Sequence, residues 1–388
     1  FLEKPSEFRS FKFMSTQKII IVGQNTSAFL TAYALTQAGH KVTLVESGNT
    51  AENLSSVGAA EIEAVPSDAA TFEAVAWLET VLATSTISTE AEMSPATLSD
   101  GETKPFLGFG DSPYKSISPL SAYNLTRRLK FKPYLAQLMA TLRVQKNFAV
   151  IPYSEVTAID DLDQKIRSIT VNGQQLEADY FIFTEHPKTL TSILPADVLG
   201  TRIKSKIAKS ATWTEIRLIF QHKNPLFIAD HVLYLLPPSI RNEPFIGQFQ
   251  LIDADDGTSC RSVWQSYVES ELAEDPEIVS TTMKHMKKTL QKVFSNSNEF
   301  TKEQFIVVNP DSYGDFSWAK DGFGFEADLT NMIMAIPVLY PIPGIMGCVM
   351  AAYAAVTRIT NPAALEEKST NLREPSLLSS SDVADHGA

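Results

Sequence analysis

The sequence predicts an α/β protein of two domains, one on a mostly parallel sheet and a second, α+β domain built on an antiparallel sheet. Three observations predict it. The stretch "IIIVGQNTSAFLTAYALTQAGHKVTLVES", residues 19–47, reads as strand, tight turn, helix and second strand. Residues 147–183 alternate apolar and polar residues around Asn172-Gly173, a hairpin signal. Four further alternating runs follow, as expected of an antiparallel sheet.

Taken in order, residues 1–13 ("FLEKPSEFRSFKF") lack an apolar core followed by small residues, so they are expected to be an extension with little role in the fold and not a signal peptide. Lys18 to Val22 is apolar throughout after its lysine, as in a parallel strand covered on both faces. Thr26 to Ala38 is rich in Ala and Leu, and Gly39 is a good stop for that helix. "KVTLVE" supplies the second parallel strand and completes a right-handed βαβ unit.

Residues 51–112 are acidic, with Lys104 their single base. Within them "DAATFEAVAWLETVLA" is expected to be a helix and "STISTEAEMSPATLSDGETK" a surface loop. The balance then reverses: "SAYNLTRRLKFKPYLAQLMATLRVQ" is basic and is expected to be helical, broken near Pro133. The later strands are expected at Ala211 to Gln221, His231 to Leu236, Phe245 to Ile252, Arg261 to Tyr267 and Gln304 to Val308, with an amphipathic helix from Pro276 to Phe294. Leu329 to Thr357 carries no charge, but Pro337, Pro341, Pro343, Gly344 and Gly347 interrupt it. A buried strand, a loop and a buried helix are expected there, with shallow membrane contact left open. The Ser-rich tail, 361–388, is expected to be disordered.

Composition excludes several functions. A net charge of -12 argues against general nucleic-acid binding, which needs a basic surface. Cys260 and Cys348 lie far apart without a C-x-x-C pair, which fits a reducing, cytoplasmic setting. The six histidines are scattered, so no metal site is expected.

The chemistry is carried by the first turn. Dinucleotide-binding turns read G-x-G-x-x-G: the first glycine for the tight turn, the second for close approach of pyrophosphate, the third for helix–strand packing. Here the turn is Gly23-Gln24-Asn25-Thr26-Ser27-Ala28. Gly23 meets the first demand and Ala28 the third. Asn25 tolerates a left-handed backbone, yet its side chain is expected to point into the space that phosphates use. The amides of Thr26, Ser27 and Ala28 and the hydroxyls of Thr26 and Ser27 would favour an anion; the bland alternative is that Asn25-Thr26-Ser27 merely caps the helix. Glu46 ends the second strand at the spacing of an acid that accepts ribose hydroxyls; its alternative is a solvated strand-end carboxylate.

The order of these pieces resembles the flavin-dependent amine oxidase and phytoene desaturase superfamily. Four motifs carry the resemblance: the βαβ unit ending in "GHKVTLVES"; "VIPYSEVTAIDDLDQKIRSITVNGQQLEADYFIFTEHP"; "FIGQFQLIDADDGTSCRSVWQSYV" with the helix after it; and the closing "PGIMGCVMAAYAAVTRI". The resemblance implies an FAD-type Rossmann domain assembled from residues 14–60, 140–195 and 325–360, and a substrate domain from 61–139 and 196–324. It implies FAD as cofactor, held by Gly23, Asn25, Thr26, Ser27, Ala28, Glu46, by Val156 at the adenine, and by Gly344 and Gly347 at the start of the last helix. It also implies hydride transfer to flavin from a small amine or apolar substrate. No catalytic base is visible.

Three departures from that pattern favour a second reading, a cofactor-free pseudoenzyme that uses the scaffold to bind a protein or another ligand. They are Asn25, the acidic stretch from Ser47 to Glu52 in place of an arginine turn, and the missing Gly-Asp pair before the last helix. Thr184 and Glu185 also replace the usual small residues after the returning strand. Tyr313, Phe316, Trp318, Lys320 and Phe323 are candidate pocket residues whose alternative is a packed loop. Cys348 is expected to be small and buried. Arg127, Arg128, Lys130, Lys132, Arg143 and Lys146 are expected to form a solvated helix face that complements the acidic segment, with lipid or an acidic protein partner as the other reading.

Overall fold

The computed structural model describes residues 15–48, 63–66, 69–84, 88–90, 96–99, 102–105, 125–129, 132–194, 200–222, 233–236, 247–253, 260–293, 301–316, 318–319, 329–340 and 344–361. The expectations for residues 1–13, the tail beyond 361, the stretch from Asn49 to Glu52, Lys320, Phe323 and Pro341 to Pro343 fall outside these residues.

In chain order the elements are β1 (Lys18–Val22), α1 (Thr26–Gln37), β2 (Lys41–Val45), β3 (Glu63–Pro66), α2 (Ala69–Val81), β4 (Ser88–Glu90), β5 (Ala96–Ser99), β6 (Glu102–Pro105), β7 (Leu125–Leu129), α3 (Lys132–Arg143) and β8 (Phe148–Ile151). Then come β9 (Val156–Leu162), β10 (Lys165–Val171), β11 (Gln174–Glu177), β12 (Tyr180–Phe183), α4 (Pro187–Ile193), α5 (Thr201–Lys209) and β13 (Thr212–His222). The chain continues through β14 (Leu233–Leu236), β15 (Gly247–Asp253), β16 (Cys260–Glu269), α6 (Ser270–Ala273), α7 (Pro276–Val293), β17 (Thr301–Gly314), β18 (Met332–Met334) and α8 (Ile345–Thr360).

Five strands form a parallel sheet in the order β18-β12-β1-β2-β8, so its strands come from three separated stretches of chain. β1 lies in the middle, and Ile19, Ile20 and Ile21 are at most 1% exposed because both faces are covered. On one face α1, α2, α3 and α8 enclose Phe29, Leu35, Leu78, Leu142 and Val349. Fully buried Ala28, Ala32, Ala352 and Ala355 let α1 and α8 lie close to the sheet and to each other. On the other face the antiparallel trio β11-β10-β9, with α4 and α5, encloses Phe181, Phe183, Ile169 and Met334.

Both hairpins of that trio turn through paired left-handed residues. Asn172 and Gly173 (φ 49° and 79°) join β10 to β11 as the sequence predicts. Asp163 and Gln164 (φ 51° and 60°) join β9 to β10 without glycine, which composition alone does not reveal. Asn331 clamps this trio to the parallel sheet: Ile166 N–H donates to its Oδ1 and its Nδ2 donates to the Ile166 carbonyl, both at 2.8 Å.

The second sheet has seven strands, β17-β13-β16-β15-β14-β5-β6, antiparallel except at β14–β5. One face of β13 carries Ile216 and Leu218, both fully buried. The other carries Glu215 and Arg217, a buried ion pair at 2.7 Å. Gln265, the register partner of Arg217, donates to the same Glu215 oxygen.

Two sequence expectations are corrected. "LTRRL" is strand β7, pairing with β3 and β4; the helix starts only at Lys132, so the break falls before Pro133 and Pro133 sits in the first turn, where proline is tolerated. "STISTEAEMSPATLSDGETK" is not a loop: it supplies β4, β5 and most of β6, short polar strands whose pairing periodicity does not reveal. The register sets Glu90 opposite Arg127, so Arg127 and Arg128 lie on a strand and not on the helix face expected of them. Among the described residues no helix is long and apolar enough to cross a membrane; residues 329–357 hold β18, a short 3-10 turn and α8, as expected.

Candidate functional site

The loops after β1, β2, β12 and β18 meet at the carboxyl ends of the parallel strands, where α/β sheets place ligands. Gly23 leaves β1 at φ +138°, and its N–H donates to the Val45 carbonyl at 3.0 Å. A Cβ at Gly23 would collide with the side chain of Thr184, whose hydroxyl donates to the Val22 carbonyl at 3.2 Å. Glycine is therefore required both by the dihedral and by the neighbour on β12.

Asn25 corrects its expectation. Its backbone is extended (φ -99°, ψ 173°), so left-handedness is not what it supplies. Its side chain does not project into the crevice either. Oδ1 accepts from the Ala28 N–H at 3.0 Å, and Nδ2 donates to the Thr184 carbonyl at 2.7 Å. Asparagine here caps α1 and fastens the β1–α1 turn to the end of β12.

The donors of that turn sort accordingly. The Ala28 N–H is taken by Asn25, and the Ser27 hydroxyl, fully buried, donates to the Ala335 carbonyl at 2.8 Å, so neither is a phosphate donor as expected. The N–H groups of Thr26 and Ser27 remain, since the first turn of a helix leaves them without intrahelical partners.

Glu46 is 3% exposed, which removes the solvated alternative. Its N–H donates to the Ile151 carbonyl and its carbonyl accepts from the Ser154 N–H, fixing the end of β2 against the chain after β8. Val156 opens β9 opposite Val171 and is buried between the trio and the parallel sheet. Gly344, at φ +78°, is the N-cap of α8 with no side-chain cap, and Gly347 is buried in its first turn. Cys348, expected to be buried, is half-buried.

Sequence reasoning missed three buried polar atoms at these strand ends that have no hydrogen-bond partner among the described residues. They are Gln24 Oε1 after β1, His186 Nε2 after β12 and the Tyr340 hydroxyl after β18, in loops that follow three adjacent strands. His186 caps α4 through Nδ1, which accepts from the Lys188 N–H at 3.2 Å, so the neutral ring carries its proton on Nε2. Burial pushes its pKa down to about 4; Lys188 adds to this and Asp311 opposes it. Asp311, left-handed at φ 47°, is opposed by burial, but hydroxyls of Thr212 and Ser270 and the charges of His186 and Lys188 hold it below the usual carboxylate range. Burial pushes Glu185 and Tyr340 upward.

Of the candidate pocket residues, Tyr313 packs on Trp213 with ring centroids 5.6 Å apart, and Phe316 packs against His186 and Trp318. Trp318 donates to Ser210 Oγ at 2.9 Å under the Lys206 ammonium. All three are packed against neighbouring rings. Among the described residues no group of three His, Cys, Asp or Glu is placed to hold a metal ion.

No family model matches the sequence, and no curated protein sequence matches it. Solved structures do match. An oxidoreductase from Methanosarcina mazei superposes with a TM-score of 0.60 at 12% identity, over 87% of this chain and 99% of that one. Glycine oxidase from Bacillus cereus gives 0.55 at 11% identity, over 89% and 95%. PqsL of Pseudomonas aeruginosa, a probable FAD-dependent monooxygenase, gives 0.51 at 13% identity, over 92% and 90%. This chain shares its fold with these three proteins. The parallel sheet is thus the Rossmann layer of that fold, and the seven-stranded sheet belongs to its α+β part.

FAD fits the described residues of the β1–α1 turn and of the end of β2. The turn carries glycine where a side chain would collide, two helix amides are open, a buried carboxylate ends β2, and the orphaned Gln24 oxygen lies in the same turn.

Proposed function

We propose that this chain is an FAD-dependent oxidoreductase that takes hydride from an amine or apolar substrate. The observation that carries the reading is the set of three partnerless buried polar atoms after β1, β12 and β18. Leaving a buried polar atom unpaired costs about 1–3 kcal/mol, so three at the carboxyl ends of adjacent strands favour a polar ligand there. The fold makes a flavin dinucleotide the candidate.

When bound, FAD supplies the hydride acceptor, which is why few protein acids or bases are needed. The chain's part is to bind and orient. The Thr26 and Ser27 amides at the start of α1 would face an anion, Glu46 would accept the ribose hydroxyls, Val156 would border the adenine, and Gly344 with Gly347 would bring the start of α8 close to the ring system. The neutral His186 is a fixed N–H donor, not a cation, at the edge of the crevice.

The second reading, a cofactor-free binding scaffold, is favoured by Glu185, a carboxyl folded against the phosphate turn. Purified protein incubated with FAD and then desalted separates the two. Retained flavin at about one per chain supports the oxidoreductase; a colourless protein supports the scaffold.

A further inference from the structure

Glu185 is unexplained by the scaffold around it. It follows Thr184 at the end of β12, and its side chain leans back over the β1–α1 turn, with Oε1 3.5 Å from where a Cβ of Gly23 would stand. No hydrogen bond to its carboxyl is made among the described residues, although it is largely removed from solvent. It thus stands beside the turn whose open amides attract an anion, in a loop tied to that turn by the Asn25–Thr184 hydrogen bond.

We propose that Glu185 donates its carboxyl O–H to a pyrophosphate oxygen of the flavin dinucleotide, so that a shared proton does the work of a positively charged side chain. The inference rests on the FAD reading above. Two anionic oxygens side by side in a desolvated crevice repel, and one proton held between them turns the repulsion into a short, charge-assisted hydrogen bond. Burial already raises Glu185 toward its neutral form before any phosphate arrives. The neighbouring Gln24 oxygen, an acceptor without a partner, then suits a hydroxyl of the same ligand.

Of the charged and titratable groups near this end of the sheet, His186 and Lys188 follow Glu185 in the chain, Glu46 ends β2, and Asp311 on β17 acts on His186. Titration of His186 is centred near 4, so it stays neutral above about pH 6. Lys188 is engaged with Thr212 Oγ1 at 3.1 Å, and Asp311 is held below the ordinary range.

The test is the dissociation constant of FAD, read by flavin fluorescence, for the full chain and two variants between about pH 6 and about pH 9. Riboflavin, which lacks phosphate, is the control probe. The wild type is expected to lose affinity for FAD by about tenfold as pH rises. Glu185→Gln, a permanent N–H donor, is expected to bind within about threefold of the low-pH wild type and without that pH dependence. Glu185→Ala is expected to bind FAD about tenfold more weakly at low pH, with riboflavin unchanged. Equal or tighter FAD binding by Glu185→Ala, or an unchanged pH profile in Glu185→Gln, overturns the inference while leaving the FAD reading intact. A wild type that binds no FAD at any pH overturns that reading, and Glu185 with it; FAD binding gained only in the variants shows the carboxylate to be a block.

Discussion

Replacing Asn25 separates what its side chain does for the turn from what it was expected to do to a phosphate. Asn25→Ala removes the cap on Ala28 and the bond to the Thr184 carbonyl together. Losing an N-cap costs about 1 kcal/mol, and leaving a half-buried carbonyl without its donor costs about 1 kcal/mol more. The variant is therefore expected to be about 2 kcal/mol less stable in equilibrium urea unfolding. Asn25→Asp keeps Oδ1 as the cap and loses only the Nδ2 donor, so about 1 kcal/mol is expected. Asn25→Gly, which restores the glycine of the common motif, is expected to leave FAD affinity within about threefold of wild type, because the side chain already points away from the crevice. A tenfold or greater tightening by Asn25→Gly, or unchanged stability of Asn25→Ala, would refute this account of the turn.

Three further outcomes are expected. Because the pKa of His186 falls from 6.5 to about 4 on folding, the folded protein binds fewer protons across that window. Stability should then drop as pH falls through it, by up to roughly 3 kcal/mol, and His186→Asn, which keeps a capping side chain, should flatten the loss seen in urea titrations at several pH values. Glu215→Ala strips Arg217 of its buried carboxylate partner and should cost about 3 kcal/mol, whereas Glu215→Leu with Arg217→Met should cost clearly less, measured by the same unfolding assay. Asn331→Leu unpairs both the N–H and the carbonyl of Ile166 and should cost about 2–4 kcal/mol; proteolysis should show the opening at the β9–β10 hairpin.

The parallel layer was legible because its residues leave little choice. "KIIIV" buries on both faces, Gly39 at φ +88° stops α1, and Asn172-Gly173 turns a hairpin as its composition demands. The short strands β4, β5 and β6 were not legible. Their Ser, Thr and Glu residues follow no apolar alternation; β4 and β5 find partners distant in sequence in β7 and β14, while β6 pairs with β5 across a two-residue connection. Gly23 and Glu46 could be located by spacing, but the part played by Asn25 depends on the Thr184 carbonyl, a residue 159 positions away. His186 and Asp311 carried no local motif; burial pushes His186 down against the pull of Asp311, and Asp311 is lowered, against burial, by the hydroxyls of Thr212 and Ser270 and the charges of His186 and Lys188. The departure at Thr184 and Glu185 was the one sequence signal that pointed toward this part of the crevice.

The central claim is that the crevice holds flavin. The visible absorption spectrum of the purified chain, taken before and after incubation with FAD and desalting, tests it most directly. Flavin bands at about one cofactor per chain, released on heating and weakened by Glu46→Ala, are the predicted result. A protein that stays colourless after incubation would contradict the claim and leave the scaffold to a binding role.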